Sequence, residues 1–383
     1  NSVKIRKPLA IGSYAFSMCQ NLEKVEIEDA SEITKISGSS FADCIKLKEF
    51  PVPQNVTEIG DRAFANCGAL TTISLPDSLK EIGSQAFANC YSLQKVVIPK
   101  NVKAIGSSVF ENCSMINEFE YTTDIGNFYQ WFGDYNYDVP ASLEKVTYNG
   151  EIVSSGMFYE IPNVKKVSLP NAVYIDNIAF FACWNLQSVQ LAEGLLSIDS
   201  SAFELCSNLE EITLPQSVAK IGERAFSDCN QLTSVNIPNS ITRIEDSTFS
   251  YCYNLAKVTL PSNLKEIGNS AFYYCANLNS IVIPDSVASI EADAFSQCNS
   301  LTELTIPKIF GTGISYLFGA SDRGSMLEIP LEKVTIKSEH IPDYAFFYAT
   351  RLKDVIANNA NAIGRSEERR VGKECRSRWS PYH

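Results

Sequence analysis

The stretch IGDRAFANC at residues 59–67 returns 23 residues later as IGSQAFANC at residues 82–90, and variants of it fill most of the 383-residue chain. A fixed period between roughly 20 and 29 residues is typical of a solenoid, in which each unit buries its apolar side chains against its neighbours. The repeat therefore predicts one stacked fold. A stack of this kind is also expected to carry its function on a surface rather than in an enclosed pocket.

The full repeat reads I-x-x-x-A-F-x-x-C-x-x-L-x-x-V-x-I-P, and its phenylalanine is the easiest position to follow. From Phe180 to Phe295 every step between these phenylalanines is 23 residues. Two irregular units, near residues 120–142 and 308–330, interrupt the series. Both lack the Ala-Phe-x-x-Cys segment and carry extra residues. With them included, the spacing predicts about fifteen turns.

Each turn contains two kinds of local pattern. The segment Leu-x-x-Val-x-Ile alternates apolar and polar residues and is rich in β-branched types, which predicts a short strand in a parallel sheet. The proline that follows it in nine units lacks an N–H and is expected to end the strand. The segment Ile-x-x-x-Ala-Phe has the spacing of one or two helical or 3-10 turns. The predicted fold class is therefore an α/β solenoid.

Composition agrees with a folded repeat protein. Residues 1–364 are expected to form one elongated domain, although a length of 383 residues alone would suggest two or three globular domains. Hydrophobic residues make up 45% of the chain and charged residues 20%, and no run of about 18 apolar residues is available to cross a membrane.

Eleven of the twelve cysteines fall at the same position of the repeat, which argues for a packing role. A small, weakly polar side chain suits a narrow corner that is buried once per turn. A spacing of 23 residues does not resemble the Cys-x-x-Cys pairs of zinc sites, and adjacent strands about 4.8 Å apart give poor disulfide geometry. The sequence therefore predicts reduced structural thiols, with no metal and no cofactor.

Residues 365–383 (RSEERRVGKECRSRWSPYH) break the repeat and reverse the charge. The tail carries six basic and three acidic residues, leaving 26 basic and 41 acidic residues and a net charge of −15 in residues 1–364. The string resembles the translation of a short-read sequencing adapter at the end of a metagenomic fragment. It is treated as non-native and disordered, and it is excluded from the fold.

The repeat I-G-x-x-A-F-x-x-C-x-x-L-x-x-V-x-I-P resembles the BspA-like subclass of leucine-rich repeats, over residues 1–364. That family is known mainly from surface and secreted proteins of host-associated bacteria and from some parasitic protists. The resemblance implies a leucine-rich repeat solenoid, location at the cell surface or outside the cell, and adhesion to host matrix proteins or to other cells. It supplies no residue-level binding motif.

The first irregular unit is rich in aromatic residues and is one candidate binding site. Its members include Tyr129, Trp131, Tyr135 and Tyr137. Tyr and Trp are frequent at binding hot spots and in sugar-stacking platforms because they combine apolar area with a polar group. The alternative is that these side chains fill the defect left by an irregular turn, and a second, less aromatic irregular unit favours that alternative.

The exposed row of the predicted sheet is the second candidate. Between the Val and the Ile of successive units lie small, uncharged residues, of which Thr213, Asn236 and Thr259 are central. Such a row suits a hydrogen-bonding contact surface. It equally suits plain strand propensity, because Thr and Val fit a pleated surface.

Other classes of function find little support. Only His340 and His383 are present, so a histidine-based catalytic triad or a multi-histidine metal site has almost no residues to use. The net charge of −15 disfavours nucleic acid. The leading hypothesis is a non-catalytic adhesin that binds host or microbial proteins. The alternatives are a glycan-binding module around Trp131 and a passive spacer for another domain.

Overall fold

The computed structural model describes residues 1–122, 128–133, 139–319, 329–338, 340–357 and 362–363. The candidates Tyr135 and Tyr137, and the tail at 365–383, lie outside the described residues. The chain divides into two compact units. The first consists of Asn1–Ala172 with Cys183–Ala192, and the second of Val173–Ala182 with Glu193–His383. Both units are built from the same kind of repeating turn.

Most regular structure in these turns is β-strand. In chain order the elements are β1 (Ser2–Arg6), β2 (Lys24–Glu28), β3 (Lys35–Ile36), β4 (Glu49–Phe50), β5 (Glu58–Ile59), β6 (Thr72–Ile73), β7 (Glu81–Ile82), β8 (Lys95–Val97), β9 (Ala104–Ile105), β10 (Glu118–Tyr121), α1 (Phe128–Phe132), β11 (Lys145–Tyr148), β12 (Ile152–Val153), β13 (Lys166–Leu169), β14 (Tyr174–Ile175), β15 (Ser188–Leu191), β16 (Ser197–Ile198), β17 (Glu211–Ile212), β18 (Lys220–Ile221), β19 (Ser234–Asn236), β20 (Arg243–Ile244), β21 (Lys257–Thr259), β22 (Glu266–Ile267), β23 (Ser280–Val282), β24 (Ser289–Ile290), β25 (Glu303–Ile306), α2 (Ile314–Leu317), β26 (Lys333–Ile336), β27 (His340–Ile341), β28 (Asp354–Ala357) and β29 (Ala362–Ile363).

The Leu-x-x-Val-x-Ile segments form the principal sheet, as predicted. In the first unit β1, β2, β4, β6, β8, β10, β11, β13 and β15 lie side by side in this order. In the second unit β19 pairs with β21, and β23, β25, β26 and β28 form a continuous run. The pairs are parallel and keep the repeat in register, so that Val167 lies opposite Val189 and Ile281 opposite Leu304. The predicted solenoid of stacked parallel strands is therefore confirmed.

The Ile-x-x-x-Ala-Phe segment differs from the prediction. Its Ile belongs to a second, two-residue strand, as in β5, β7 and β9, which pair in parallel with their equivalents in adjacent turns. The Ala-Phe part is a turn, and α1 and α2 are the only helices in the described part of the chain. The segment is therefore not α-helical, but it does form short turns with i→i+3 hydrogen bonds, and the repeat is mostly β with few helices.

Backbone hydrogen bonds explain why this segment is not helical. The N–H of Phe64 donates to the carbonyl of Ala86 (2.8 Å), and the N–H of Asn66 donates to that of Ala88 (2.8 Å). Alternate N–H groups thus point to the adjacent turn, whereas an α-helix would satisfy them within its own segment. Left-handed residues at Arg62 (φ 57°) and Asn66 (φ 63°) set this alternation, and most turns repeat it with non-glycine residues.

The core is a column of side chains shared by adjacent turns. Phe41 and Phe64 stack with ring centroids 5.5 Å apart, and Phe64 and Phe87 are 5.4 Å apart with nearly parallel planes. In the second unit Phe203, Phe226 and Phe249 repeat the arrangement at 5.3 and 5.5 Å. Leucines and isoleucines of the two strands line the rest of the interior.

The cysteines occupy one corner of this core. The thiol of Cys67 donates to the carbonyl oxygen of Phe41 (3.2 Å), and the same bond recurs in other turns, for example from Cys229 to Phe203 (3.3 Å). Every repeat-position cysteine of the described residues is a free thiol, and all are buried except Cys19. The repeated cysteine is therefore explained by packing together with a weak hydrogen bond to the preceding turn.

Candidate binding surface

The row of Thr213, Asn236 and Thr259 lies on the outer face of the principal sheet in the second unit. Asn236 and Thr259 face each other in the parallel register of β19 and β21, and Thr213 directly follows β17. All three side chains are exposed. The buried residues alternate with them, as Val235 does beside Asn236, so the strand pleat presents the row to solvent.

A second column of exposed side chains lies beside this row. Its members precede the buried Val, or the residue equivalent to it, in each strand of the principal sheet. In the first unit it carries ion pairs, with Glu118 lying 3.2 Å from the Nζ of Lys95 and 3.7 Å from that of Lys145. In the second unit the same column includes the uncharged residues Ser234 and Ser280. Charged residues continue the column there, as in the pair of Lys333 with Glu303 (3.6 Å), so this column is charged in both units.

The aromatic residues of helix α1 in the first irregular unit are not exposed in the way that glycan binding requires. Trp131 is fully buried, as are Phe128 and Phe132 on the same helix α1. The Trp131 ring lies 5.6 Å from Phe119 and 5.1 Å, edge to face, from Tyr121. Trp131 therefore cannot serve as a sugar-stacking platform, and the alternative interpretation, that these aromatics fill an irregular turn, is the one the packing supports.

Tyr129 is also engaged within the fold. It is half-buried, and its hydroxyl donates a hydrogen bond to the carbonyl oxygen of Tyr159. Burial, reinforced by the charge of Glu160, raises the pKa of Tyr129 above its ordinary value. The hydroxyl thus anchors α1 to a later turn, which removes its polar group from the surface.

A group of four tyrosines that the sequence-based predictions did not include, one of them exposed and three partly exposed, lies in the second unit on the turn side of the solenoid. This tyrosine patch consists of Tyr251, Tyr253, Tyr273 and Tyr274. The rings of Tyr251 and Tyr274 are nearly parallel at 5.4 Å, and Tyr273 meets Tyr251 edge to face at 5.3 Å. The signal was available in the sequence, because the four residues occupy neighbouring repeat positions in two successive turns.

The buried thiols of the repeat are poorly suited to act as nucleophiles. Burial raises the pKa of the Cys44 thiol to about 11, and the pKa values of Cys229 and Cys275 lie well above the ordinary value of 9.0 for the same reason. A thiol in this state is a weak nucleophile because the thiolate is the reactive form. Among the described residues, no group of three or more His, Cys, Asp or Glu side chains is arranged to hold a metal ion. No helix within those residues is both long and apolar enough to span a bilayer.

Fold and surface together define a class of protein: a parallel-strand repeat solenoid that exposes an extended sheet face. The chain matches the family model described as "BspA type Leucine rich repeat region (6 copies)" over residues 9–136, 151–279 and 265–367. It therefore belongs to the BspA-type leucine-rich repeat family, which confirms the resemblance drawn from the repeat.

The chain is also similar to solved structures of other repeat proteins, the first of which agrees with this fold. A leucine-rich repeat protein from Bacteroides ovatus ATCC 8483 is 25% identical, with a TM-score of 0.51, and the match covers 92% of each chain. A leucine-rich cell surface protein from Faecalibacterium prausnitzii A2-165 is 23% identical, with a TM-score of 0.32, over 84% of this chain and 91% of that one. No curated protein is significantly similar to the chain.

Proposed function

We propose that the chain is a non-catalytic, adhesin-like scaffold, carried on the cell surface or secreted, that binds a host or microbial protein. The single observation that carries the proposal is the exposed, uncharged row of Thr213, Asn236 and Thr259 on the principal sheet. Hydroxyl and amide groups can exchange hydrogen bonds with water for bonds to a partner without the large desolvation cost of a charge.

Rigidity of the sheet supports the same proposal. Asn236 and Thr259 are fixed on strands that pair in register, so little side-chain or backbone order has to be created there when a partner docks. The side chains of the row lie one strand apart, about 4.8 Å, so one segment of a partner protein can reach several of them at once. Membership of the BspA-type family, with the adhesive role that it implies, agrees with a protein partner.

The net charge of the chain and the burial of Trp131 argue against two classes of partner, nucleic acids and glycans. The net charge of −15 in residues 1–364 disfavours a nucleic acid. Burial of Trp131 removes the residue on which the glycan alternative depended. A protein partner is therefore the best supported, and a passive spacer is the outcome that remains if the sheet face binds nothing.

The test compares two triple variants in an adhesion assay. Beads coated with the protein are incubated with immobilised fibronectin, laminin and collagen and with epithelial monolayers. The row variant carries Thr213→Lys, Asn236→Lys and Thr259→Lys. The matched control carries Ala104→Lys, Ala219→Lys and Ser289→Lys, which add the same charge at exposed positions away from the row.

We expect the row variant to weaken adhesion by about tenfold or more, because a new charge must be buried at the contact. The control is expected to adhere like the unaltered protein. Equal losses of adhesion in the two variants would show that the binding site lies outside the row. A failure of the unaltered protein to adhere to any of these surfaces would support the spacer.

A further inference from the structure

The tyrosine patch lies on the turn side of the solenoid, away from the principal sheet. Tyr253 is 39% exposed, and Tyr251, Tyr273 and Tyr274 are partly exposed. Tyr253 meets Tyr251 edge to face at 6.1 Å and meets Tyr274 in the same way at 6.0 Å. Four electron-rich rings therefore share one contiguous surface, whereas the two turns before it carry no tyrosine at the equivalent positions.

Hydrogen-bond acceptors border this surface on the side of the preceding turn. Asp228 occupies the repeat position of Tyr251 one turn earlier, and its N–H donates to the carbonyl of Ser250 (2.8 Å). The Asp228 carboxylate accepts a hydrogen bond from Ser227 (3.1 Å) and is partly buried. Burial raises the pKa of that carboxyl, so its negative charge is incompletely solvated.

A second acceptor adjoins the first. Asn230 occupies the repeat position of Tyr253 one turn earlier, and the two turns are joined there by the hydrogen bond from the N–H of Asn254 to the carbonyl of Asn230 (3.2 Å). The side-chain oxygen Oδ1 of Asn230 is buried without a hydrogen-bond partner in the described structure. A buried acceptor without a donor costs free energy, and a donor-bearing ligand recovers it only when the Asn230 side chain turns outward.

From this juxtaposition we propose that the tyrosine patch, with Asp228 and Asn230, is a docking surface for an arginine-bearing segment of a partner protein. A guanidinium group carries five N–H donors and no acceptor, stacks on aromatic faces and pairs with carboxylates. At the patch the tyrosine rings supply the aromatic faces, Asp228 supplies the carboxylate, and the side-chain oxygen of Asn230 is a further acceptor. The site lies on a different side of the turns from the row of Thr213, Asn236 and Thr259, and it goes beyond the adhesion proposed for that row.

Local and overall charge favour a cation at this place. The neighbouring Arg224 contacts the carboxylate of Glu204 (3.8 Å), and one cation is thus shared between Glu204 and Asp228. Residues 1–364 carry a net charge of −15, which attracts basic segments at long range. A neutral glycan could stack on the rings, but it would gain nothing from the Asp228 charge.

The chain supplies substitutions that its own fold accepts. Ser occurs at the repeat position of Tyr253 in the turn of Ser207, and at that of Tyr273 in the turn of Ser250. Asn occurs at the position of Tyr274, with the same left-handed backbone, in the turn of Asn89. The variant with Tyr253→Ser, Tyr273→Ser and Tyr274→Asn should therefore fold, which circular dichroism and thermal melting will check.

Tyr91 provides a matched control. It occupies the same repeat position as Tyr253 in an earlier turn and is exposed, but its turn carries Ala88 and Asn89 where the patch has tyrosines. Tyr91→Ala thus removes one exposed tyrosine without touching the patch. Asp228→Asn removes the carboxylate charge and keeps a side chain of the same shape.

The probe is a dye-labelled octapeptide of alternating glycine and arginine, measured by fluorescence anisotropy. The same peptide with citrulline in place of arginine is isosteric but neutral. We expect the arginine peptide to bind at least about tenfold more tightly than the citrulline peptide. We expect the triple tyrosine variant to weaken binding about tenfold and Asp228→Asn about threefold to tenfold, while Tyr91→Ala leaves it unchanged.

Several results would overturn the proposal. If the triple variant binds the arginine peptide as well as the unaltered protein does, the attraction is only that of an acidic chain. Equal binding of the citrulline peptide would remove the role of the cation. Tyrosine-dependent binding of cellohexaose without binding of the arginine peptide would assign the patch to glycans. Variants with Thr213→Ala, Asn236→Ala and Thr259→Ala should not alter peptide binding, which separates this test from that of the sheet face.

Discussion

The Sγ of Cys252 lies 3.2 Å from the carbonyl oxygen of Phe226 in the preceding turn, and the thiol donates a weak hydrogen bond to it. The same two positions meet in ten described turns, for example as Cys67 with Phe41 and Cys298 with Phe272. A cysteine column therefore ties each turn to the one before it. Because these thiols are buried, the column must remain protonated for the fold to persist.

Alkaline pH is expected to destabilise the protein through these thiols. Burial raises the pKa of Cys44 to about 11, and it raises those of Cys229 and Cys275 well above the ordinary 9.0. Above pH 9 the unfolded chain therefore releases thiol protons that the native chain keeps. The stability contributed by each thiol is complete below about pH 9 and is lost as pH rises toward its folded pKa, by up to ~1.4 kcal/mol per pH unit.

Urea unfolding at pH 8 and pH 10 measures this loss. The variant with Cys229→Ala, Cys252→Ala and Cys275→Ala should be less stable than the unaltered protein at pH 8. It should nevertheless lose less stability between the two pH values, since three of the titrating groups are absent. Identical losses in the two proteins would show that thiol ionisation does not govern the alkaline limit.

Truncation of an interior phenylalanine should cost far more than truncation at the first turn. Phe226 is fully buried between Phe203 and Phe249, whereas Phe16 is partly exposed and stacks on Phe41. We expect Phe226→Ala to lower the free energy of unfolding by about 3 to 5 kcal/mol, because adjacent turns cannot collapse into the cavity. Phe16→Ala should cost clearly less. Equal shifts in thermal melts would contradict the shared phenylalanine column.

The preceding turn approaches Gly83 too closely for a side chain unless the backbone shifts. A Cβ built on Gly83 would lie 2.4 Å from the backbone nitrogen of Asp61 and 2.5 Å from its Oδ1. Gly83→Ala should therefore destabilise the protein by about 1 to 3 kcal/mol, as other overpacked sites do. Gly194→Ala is the matched control, since nothing lies within 4 Å of its added Cβ. Calorimetry should find Gly194→Ala close to neutral, and a comparable cost at both sites would rule out close approach as the cause.

The stacked turns and the buried faces of their strands could be predicted from the sequence because every repeat carries the same pattern. The 23-residue period predicted the stacked turns, and the alternation of polar and apolar residues around Val235 predicted which side of a strand is buried. The two-residue strands and the turns between them could not be predicted in the same way. Their backbone is held by hydrogen bonds to adjacent turns, such as the one from the N–H of Phe64 to the carbonyl of Ala86. It places non-glycine residues in left-handed conformations that the residue type does not predict.

Candidate sites were harder to predict than the fold. Trp131 belongs to a segment without the repeat spacing, so no pattern indicated which side of α1 faces inward. Burial of its ring depends on Phe119 and Tyr121 in a neighbouring strand, which is a tertiary effect. By contrast, the tyrosine patch follows from repeat positions alone, and alignment of the turns containing Tyr251 and Tyr274 would have revealed it.

Arg243 is the centre of a charge network on the second sheet of the second unit. Its guanidinium lies 2.7 Å from Glu245, 3.6 Å from Asp246 and 3.2 Å from Glu291, and it also pairs with Glu266. Hydrogen bonds first to Glu245 and then to Glu266 raise the pKa of the arginine, so it remains charged throughout the accessible range. One cation thus compensates four carboxylates that the stack holds close together.

Removal of this cation should leave the four carboxylates to repel one another. We expect Arg243→Ala to lower the free energy of unfolding by roughly 1 to 2 kcal/mol at low ionic strength, more than a single exposed pair contributes. Lys220→Ala, which breaks only the exposed contact of Lys220 with Asp199 (2.7 Å), should cost less than about 1 kcal/mol. Because salt screens repulsion between exposed charges, the penalty at Arg243 should shrink when NaCl is raised from 20 mM to roughly 0.5 M. A penalty that does not change with salt would assign the role of Arg243 to packing of its aliphatic stem instead.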